Sequence, residues 1–516
     1  MCGIFASNDP KIGISHLEKI NARLRFRGPD SQSRLVECGH WKLYHSRLSI
    51  IAPSATFSQP YQTMRGDWIV FNGEILNFRE LLSKHELPFV ESDTAALMSL
   101  LELESFDLSE IEGFFAFLRV DRSGNLTHCA RDKFGVKPLF FYRHGSYITV
   151  SSEASIISDL YDLPYSLEAL EEYKIFRAPV FAGSYFKGVV SVCPGTCIVN
   201  GTFFDALSYF GRPYLDADEL QEKLETVLSE SIRTRMISDV PVGLLFSGGI
   251  DSNLLSSLCN MDLSRFTGGV DGDYDLEFAR NQLSMHGQNF VSLIKVTDSD
   301  FRQRFKDMII LRKEPLSVPN EVVLSFLAEA WSKEGGKVLI SGEAADEFFA
   351  GYDRIFKWAA NKNEFDLCQF LSLYCYAPKK EISDRLISEI SDFFSSIQFL
   401  SPFEMVRYFF VAKHLPVLFR RLDFSLMYSG VEGREPFASQ SMFELALRFS
   451  PQDLFRDELG KLPLRLLAQK KINGKFAFAP KVGFPVDLGR IFYGKKSKNK
   501  YKNYESWTRE NLGVLQ

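Results

Sequence analysis

The sequence predicts two domains of different classes: an N-terminal part built on antiparallel strands and a C-terminal part built on a parallel α/β sheet. The chain has 516 residues, well above the usual size of one hydrophobic core. Early β-prone runs are joined by tight turns, whereas later ones alternate with helical segments. A Gly- and Pro-containing stretch, DALSYFGRPYLDAD at 205–218, separates the parts, so we predict domains at 1–205 and 206–516.

The N-terminal part shows the periodicity and turn signals of paired strands. DWIVFNGEI at 67–75 is a β-prone run in which Asn-Gly signals a turn. GFFAFLRVDRSGNLTHCARD at 113–132 and LFFYRHGSYITVSSE at 139–153 each predict two strands around a short turn. DTAALMSLLELE at 93–104 predicts a helix.

The C-terminal part alternates between helix and strand. Residues 219–237 have apolar side chains at helical spacing, and VPVGLLFSGGIDSNLLSSL at 240–258 predicts a buried strand, a glycine turn and a helix. RFTGGV at 265–270 and KVLISGE at 337–343 predict further strands. From about residue 352 we expect mostly helices, and we expect the basic stretch 493–505 to be a solvated, mobile end.

Composition excludes several classes of protein. A net charge of −5 gives no reason to expect nucleic-acid binding. No apolar run approaches about 18 residues, and the N-terminus lacks the pattern of a secretory signal, so we expect no membrane segment. The eight cysteines are scattered and suggest no disulfide framework, which predicts a cytoplasmic protein.

A glycine turn at 247–249 is the strongest local signal. It follows an apolar strand, and Asp251 and Ser252 open the next helix. Backbone N–H groups at such a turn and helix N-terminus favour phosphate, and a carboxylate there suggests a bridging Mg²⁺. The motif lacks the Lys-Ser/Thr ending of a Walker A loop. The alternative is a plain strand–helix turn with Asp251 as a cap.

A second acidic loop, SGEAADE at 341–347, follows another predicted strand. Because parallel strands open at one edge of their sheet, Asp346 is expected to face Asp251 across one crevice. The alternative interpretation is that these acids only stabilise the start of a helix through its dipole.

Cys2 is a candidate nucleophile. If Met1 is removed, its own α-amine, with an ordinary pKa of about 7.7–8.0, is a base for the thiol. An Asn-Gly pair at 72–73 suits an oxyanion, while Arg47, Glu74 and Asp93 suit the charged groups of an amino acid. A buried, inert cysteine is the alternative.

In order and spacing, these segments resemble a class II glutamine amidotransferase of the asparagine synthetase family. The resemblance runs from MCGIF through RFRGPDSQ, HSRLSI, FNGEILNF, ARDKFGVKPLFF, SDVPVGLLFSGGIDS, SGEAADEFFAGY and VEGREPF to GKLPLR. It implies an α+β N-terminal nucleophile (Ntn) glutaminase domain with stacked antiparallel sheets. An α/β ATP-pyrophosphatase domain, like the adenine nucleotide alpha hydrolases, would follow.

The resemblance also implies roles for single residues. Cys2 would form a glutamyl thioester and release ammonia, which passes inside the protein to an acyl adenylate made with ATP. Glutamine and its oxyanion would be held by Arg47, Asn72, Gly73, Glu74 and Asp93. ATP would be held by Leu245, Ser247, Gly248, Gly249, Asp251, Ser252, Ser341 and Gly342. Mg²⁺ would be held by Asp251 and Asp346. Lys461 would offset phosphate charge, and Glu343 would contact the acceptor or accept a proton.

The acceptor carboxylate is the open question. Aspartate is the default acceptor. Its free carboxylate would meet Arg434 in the loop VEGREPFAS, and its amine would meet Glu343 or Glu432. Ala344 replaces a common family glycine, and Glu435 is unusual; we expect Glu435 at the surface, with the pocket as the alternative. Departures of this kind leave a uronic acid sugar of a surface polysaccharide, or a ring closure, as alternative reactions. Ring-closing relatives tend to lose the N-terminal cysteine.

Two further hypotheses belong to other classes. A catalytically inactive binding protein predicts losses at Cys2 or in the phosphate loop, and neither is seen. A simple glutaminase needs neither Asp251 nor Lys461. The predicted partners are glutamine and a small carboxylate, and a homodimer is a candidate assembly.

Overall fold

The structure is a computed structural model. It describes residues 2–259, 263–271, 291–377, 381–472, 477–478, 486–495 and 500–516.

The described strands number eighteen, most of them short. They are β1 (Gly3–Ser7), β2 (Ser31–Gln32), β3 (Val36–Cys38), β4 (Trp41–Arg47), β5 (Tyr61–Gln62), β6 (Trp68–Ile75), β7 (Gly113–Val120), β8 (Leu126–Arg131), β9 (Phe140–His144), β10 (Tyr147–Ser151), β11 (Val190–Ser191), β12 (Thr196–Cys197), β13 (Gly201–Thr202), β14 (Val242–Leu245), β15 (Ser264–Val270), β16 (Val291–Val296), β17 (Val338–Ile340) and β18 (Glu432–Arg434).

The described α-helices are concentrated in the second half of the chain. They are α1 (Leu17–Leu24), α2 (Phe78–Lys84), α3 (Asp93–Leu100), α4 (Ala154–Tyr161), α5 (Leu167–Phe176), α6 (Ala217–Arg235), α7 (Ile250–Leu258), α8 (Asp298–Arg312), α9 (Asn320–Lys333), α10 (Ala345–Phe348), α11 (Asp353–Ala360), α12 (Leu367–Tyr374), α13 (Asp384–Ser396), α14 (Pro402–Phe409), α15 (Leu415–Met427), α16 (Gln440–Leu447), α17 (Leu462–Lys471), α18 (Leu488–Tyr493) and α19 (Lys500–Leu515).

Two antiparallel sheets form the N-terminal domain. Their strand orders are β11-β9-β10-β1-β4-β2, with β3 also on β4, and β13-β12-β8-β7-β6-β5. Apolar side chains of β1 and β4 pack against those of β6 and β7 between the sheets. Helices α1 and α4 cover the outer face of the first sheet, and α2 and α3 cover that of the second. The predicted stacked antiparallel sheets between helices are confirmed.

The Asn-Gly pair predicted as a turn lies inside a strand instead. Asn72 and Gly73 are opposite Ala116 and Phe115 in the β6–β7 pair. Gly73 has φ +144°, and a Cβ there would come within 2.0 Å of the Phe114 carbonyl oxygen. The glycine is therefore required by close strand approach rather than by chain reversal.

A five-stranded sheet, in the order β16-β15-β14-β17-β18, forms the centre of the C-terminal domain. All of its neighbouring strands are parallel, as the alternating pattern predicts. Helix α6 leads into this domain, and Asp216 caps it by accepting hydrogen bonds from the backbone of Asp218 and Glu219. The chain after Tyr352 is mainly helical, which also agrees with prediction.

The basic stretch 493–505 leads into helix α19 (Lys500–Leu515), whose later turns pack on the domain. Helix α19 packs on α8 and α18, and Trp507 is fully buried. The Trp507 ring centroid lies 4.9 Å from that of Phe305, and its Nε1 donates to the carbonyls of Leu316 and Ser317. Within the predicted stretch 493–505, Tyr493, Gly494, Lys495 and Glu505 are exposed and Tyr504 is half-buried. The buried packing begins at Trp507, two residues beyond the stretch, which its basic composition does not predict. Residues 496–499 lie outside the described residues. Among the described helices, none combines the length and apolar character needed to cross a bilayer.

Candidate active sites

Cys2 lies at the start of β1 with its thiol buried. Its backbone N donates to Asn72 Oδ1 at 2.8 Å, and its Sγ lies 3.9 Å from the Leu48 carbonyl oxygen. Arg27 Nε donates to the Cys2 carbonyl at 3.1 Å, which fixes the residue from its other side. Burial raises the pKa of the Cys2 thiol, so a nearby base is needed to form the thiolate.

The Asn72 side chain offers one donor to a ligand. Its oxygen binds the Cys2 nitrogen, which leaves Nδ2 buried and without a hydrogen-bond partner among the described residues. A buried N–H group without an acceptor is costly unless a ligand supplies one. The position beside Cys2 therefore fits the predicted oxyanion contact.

Two buried carboxylates, Glu74 and Asp93, lie close together, and the charge of Glu74 also acts on the Cys2 thiol. Asp93 opens α3 and accepts hydrogen bonds from the backbone N–H groups of Ile75, at 3.1 Å, and Thr94, at 2.7 Å. Burial raises the pKa of Asp93 to about 6. Burial, together with the charge of Asp93, raises the pKa of Glu74 well above its ordinary value. A buried acidic pair of this kind favours a cationic ligand such as an ammonium group.

Arg47 holds the loop that follows β4. Its two terminal nitrogens donate to the carbonyls of Ala52 and Ser54, each at 2.8 Å. The loop between them includes Leu48, whose carbonyl lies near the Cys2 thiol. In this structure Arg47 shapes the wall of the site, and its contact with glutamine stays a prediction.

Arg434 does not reach the second site, contrary to the sequence-based expectation. Its guanidinium is fully buried and donates to Glu432 Oε1 at 2.6 Å and to the carbonyls of Arg235 and Ile237. It also lies 3.8 Å from Glu74, on the side of the N-terminal domain. These partners direct Arg434 and Glu432 to the domain interface, so the structure argues against the predicted acceptor contacts.

Glu435 is not a surface charge either. The side chain is buried, and burial raises its pKa to about 7 in spite of the nearby cations Lys137 and Arg235. It does not line the synthetase cavity. The acid is therefore an interface residue in this structure, neither exposed nor part of the pocket.

The second site is a cavity of about 410 Å³ at the carboxyl ends of β14, β15 and β17, hereafter the synthetase cavity. The predicted residues that line it are Leu245, Ser247, Asp251, Ser252, Ser341, Gly342, Glu343 and Asp346. Gly248 and Gly249 form the adjoining turn without lining the cavity. Thr267 and Gly268, in the predicted TGGV strand end, also contribute to the wall.

The turn between β14 and α7 has the geometry of an anion cradle. Gly248 has φ +75°, a conformation that favours glycine. Asn253 Nδ2 donates to the carbonyls of Gly248 at 2.7 Å and Gly249 at 3.0 Å. These bonds turn the carbonyls inward to the protein, which leaves the helix N-terminus facing the cavity side.

One lysine links the two acidic loops. Lys461 Nζ lies 2.7 Å from Asp251 Oδ2 and 2.9 Å from Asp346 Oδ1, so the predicted crevice neighbours are brought together. Burial acts to lower the pKa of Lys461, but the two carboxylates outweigh it and raise the pKa. A Cβ on Gly351 would meet Asp346 Oδ1 at 2.0 Å, so the trio requires glycine there.

The two aspartates fit a magnesium ion that also binds phosphate. Asp251 Oδ1 is buried and has no hydrogen-bond partner in the described part of the chain. Mg²⁺ is usually held by one or two carboxylates plus substrate phosphates. Among the described residues there is no group of three or more His, Cys, Asp or Glu that could hold a metal alone.

The backbone around this trio is strained. Ala344, Ala350 and Lys461 have φ values of +76°, +57° and +58°. Such conformations cost about 1–3 kcal/mol each in non-glycine residues and cluster at functional sites. Ala344 stands where the family often has glycine, so in this chain an alanine adopts a positive φ that glycine adopts at lower cost.

Several cavity residues were missed by sequence reasoning. Arg421 donates to Glu343 Oε1 at 3.2 Å, and Tyr352 donates to Glu347 at 2.6 Å. His414 and Tyr504 complete this side of the wall. Tyr352, the neighbours His414 and Arg421, and Tyr504 come from three separate parts of the chain. No motif marks them, and only Tyr352 lies in a stretch that the family resemblance covers.

Comparisons with known proteins define the class first. Residues 1–206 match the model of a glutamine amidotransferase domain, and residues 223–512 match that of asparagine synthase. The second match covers more than half of the chain. The chain therefore belongs to the asparagine synthase family, with an N-terminal glutamine amidotransferase domain.

Individual relatives are distant. Asparagine synthetase [glutamine-hydrolyzing] 1 of Bacillus subtilis is 28% identical over 65% of this chain and 56% of its own length. Amidase chry2 of Gibberella zeae is 28% identical over 68% of this chain and 60% of its own length. A putative asparagine synthetase of Methanocaldococcus jannaschii is 25% identical over 84% and 75%. The matches thus span less than two thirds of the first two relatives.

Proposed function

We propose that the chain is an ATP-dependent, glutamine-hydrolysing amidotransferase that converts aspartate to asparagine. The observation that carries this proposal is the pairing, within one chain, of a buried cysteine beside an unpartnered amide donor with two aspartates bridged by Lys461. The first arrangement suits release of ammonia from an amide, and the second suits chemistry at a phosphate group.

At the first site, the Cys2 thiol is the nucleophile. The Cys2 nitrogen, already held by Asn72, becomes a free amine once Met1 is removed and takes the thiol proton. A sulfur–carbon bond forms with the glutamine side chain, the carbon–nitrogen bond breaks, and the proton leaves with ammonia. Asn72 Nδ2 and the Gly73 backbone hold the oxyanion, and water then hydrolyses the thioester.

Glutamine is positioned by charge. The α-amine of glutamine lies against the acidic pair Glu74 and Asp93. Arg47 either binds the carboxylate of glutamine itself or positions it through the loop that Arg47 holds. Both carboxylates are buried away from water, so the positive charge of an ammonium group stabilises their ionised forms.

At the second site, ATP activates the acceptor carboxylate as an acyl adenylate, with release of pyrophosphate. Ser247, Ser252 and the N-terminus of α7 bind phosphate. Asp251 and Asp346 would hold Mg²⁺, which supplies positive charge against the phosphates. Glu343 takes a proton from the incoming ammonia, and the new carbon–nitrogen bond displaces AMP.

The acceptor is oriented by Arg421 instead of Arg434. Arg421 is the described arginine in the cavity wall, and it lies beside Glu343. A cation at this position matches the free carboxylate of aspartate. Relatives named amidases match as well as those named asparagine synthetases, so an acceptor other than aspartate stays open, and a uronic acid is the second candidate.

The test is pyrophosphate release with ATP and either glutamine or ammonium, across aspartate and a panel of uronic acids. We expect aspartate to stimulate release with both nitrogen sources. Asp251→Asn and Asp346→Asn should each abolish this release while glutamine hydrolysis continues. A response to a sugar acid without one to millimolar aspartate would replace the proposed acceptor, and normal turnover in either variant would reject the phosphate site.

A further inference from the structure

A second cavity, of about 210 Å³, lies between the N-terminal domain and helix α15; we refer to it as the interdomain cavity. One wall is made by segments 178–183 and 190–194 of the N-terminal domain. The opposite wall is made by residues of 312–317 and 412–421. Arg421 belongs to this wall and also to that of the synthetase cavity.

Five cationic side chains line the interdomain cavity, and no Asp or Glu is among its described lining residues. The cations are Arg131, Arg312, Lys413, Arg420 and Arg421. Three carboxylates form ion pairs with them from behind: Glu314 with Arg312 and Arg420, Glu321 with Arg312, and Glu343 with Arg421. Asp132, Glu153, Glu172 and Glu389 lie farther from the cations and also act on them through their charge. The cavity itself therefore presents positive charge in excess.

Part of this charge has no carboxylate partner. Arg131 donates only to the Ser191 hydroxyl and to the carbonyls of Gly135, Lys137 and Val192. The Nε atoms of Arg420 and Arg421 are buried without a hydrogen-bond partner in the described part of the chain. Unpaired buried donors of this kind are costly unless a ligand or water accepts from them.

Lys413 is the clearest example of a cation without a described carboxylate in ion-pair contact. Its Nζ lies 4.8 Å from the Phe181 ring centroid and 5.5 Å from that of Phe393, and it forms no ion pair with a described carboxylate. Burial lowers the pKa of Lys413, and it lowers that of Arg131 to about 10. Burial also lowers the pKa of Arg420 in spite of Glu314. For Lys413 and Arg131, the effect of burial on the pKa outweighs the attraction of the surrounding carboxylates, which include Glu389 and Glu172 for the lysine and Asp132 for the arginine.

We propose that the interdomain cavity is a binding site for a small anion with at least two negative charges, such as a dicarboxylate or a phosphate. Guanidinium groups bind carboxylate and phosphate oxygens with paired hydrogen bonds, and Lys413 adds a compact charge. The volume suits a small molecule and not a nucleotide. An occupant bridges the two domains and contacts Arg421, which holds Glu343 of the synthetase cavity.

Calorimetric titration of the full chain with succinate and with inorganic phosphate tests this site. The variant Lys413→Met keeps the aliphatic packing on the phenylalanine rings but removes the charge. Lys133→Met is the matched control, because Lys133 is also buried near a ring, that of Phe204, and lines neither cavity. We expect saturable binding to the wild type and the control, and a loss of about tenfold or more in Lys413→Met. Equal binding to all three proteins would overturn the proposal, as would no saturable binding.

Phosphate has a second possible destination, the turn at Ser247. Ser247→Ala should leave succinate and phosphate binding to the interdomain cavity unchanged. Loss of binding in Ser247→Ala together with full binding in Lys413→Met would assign the anion to the synthetase cavity and contradict the proposal. These readouts do not depend on the proposed reaction.

A second variant guards against misfolding of the first. Val417 lines the interdomain cavity, and Val417→Glu places a carboxylate among the cations. We expect this variant to melt at the same temperature as the wild type or higher, and to lose succinate binding. Undiminished succinate binding by Val417→Glu would reject the site.

Discussion

The guanidinium of Arg434 lies 3.8 Å from the carboxylate of Glu74, although the two residues belong to different sheets and different domains. Glu74 is in the wall of the cysteine site. The carbonyl of Arg434 accepts from Ser341 N at 2.8 Å, two residues before Glu343. One buried arginine thus contacts the glutaminase domain through its side chain and the synthetase loop through its backbone.

Arg434→Met should therefore destabilise the protein instead of weakening acceptor binding. The change leaves Glu432 and Glu74 without a guanidinium, and breaking a buried ion pair costs about 3–5 kcal/mol. The melting temperature measured by calorimetry should fall clearly. In the control Arg233→Met, which removes an exposed pair with Glu230, the cost should be below about 1 kcal/mol. A stable Arg434→Met protein with a raised acceptor KM would restore the original sequence prediction.

Arg421→Met should act on the acceptor. Loss of the cation beside Glu343 removes a charged hydrogen bond to the free carboxylate, so the KM for aspartate should rise about tenfold or more. The measurement is pyrophosphate release at several aspartate concentrations with ammonium as nitrogen source. Glutamine hydrolysis without acceptor should be unchanged. An unaltered aspartate KM would remove Arg421 from the acceptor site.

Cys2→Ala should abolish glutamine hydrolysis and spare ammonium-dependent synthesis. The second site needs only ammonia, whatever its source. Cys129→Ala is the matched control, because Cys129 is another buried cysteine of the same domain. Intact-mass analysis of active wild-type protein should show loss of Met1. Glutamine hydrolysis by Cys2→Ala would contradict the nucleophile, and full activity with Met1 retained would contradict its amine as the base.

Glutamine hydrolysis should fall as the pH drops through about 6. The pKa of Asp93 is raised to about 6 by burial, and only its ionised form pairs with the glutamine amine. Because the folded-state pKa lies above the ordinary value, ionisation of Asp93 costs stability above pH 6, and that cost disappears as the pH falls below it.

Two comparisons isolate this effect. Asp93→Asn should lose most glutamine turnover above pH 6, and the small turnover left should fall only with protonation of the Cys2 amine, whose ordinary pKa is about 7.7–8.0. In neither protein should ammonium-dependent synthesis show the fall in rate that protonation of Asp93 causes as the pH drops through about 6. A wild-type profile of glutamine hydrolysis that stays flat from pH 7 to pH 5 would contradict the role of Asp93.

Local pattern was enough to predict much of the fold and the core of both sites. Strand and helix types, the order of the domains and the meeting of Asp251 with Asp346 follow from periodicity and from the rule that parallel strands open on one edge. The close approach of Asn72 to Cys2 follows only from the family resemblance, because 70 residues and a sheet crossing separate them.

Long-range packing is what the sequence could not supply. The sequence predicts Arg434 at the acceptor and Glu435 at the surface, yet the interface between the domains buries both. Arg421 sits on a helix with no motif, and only the packing of α15 against the sheet brings it to Glu343. The basic composition of 493–505 suggests a solvated stretch, and it does not predict that Trp507, two residues beyond it, fixes helix α19 in the core.

The most direct test of the account follows nitrogen from one site to the other. Glutamine labelled with ¹⁵N in its amide is incubated with the protein, ATP, Mg²⁺ and aspartate, and the products are analysed by mass spectrometry. We predict asparagine with ¹⁵N in its amide, formed together with equal amounts of pyrophosphate and AMP. Glutamate and labelled ammonia without any pyrophosphate or amidated acceptor, across aspartate and the uronic acids, would contradict the claim that both sites work in one reaction.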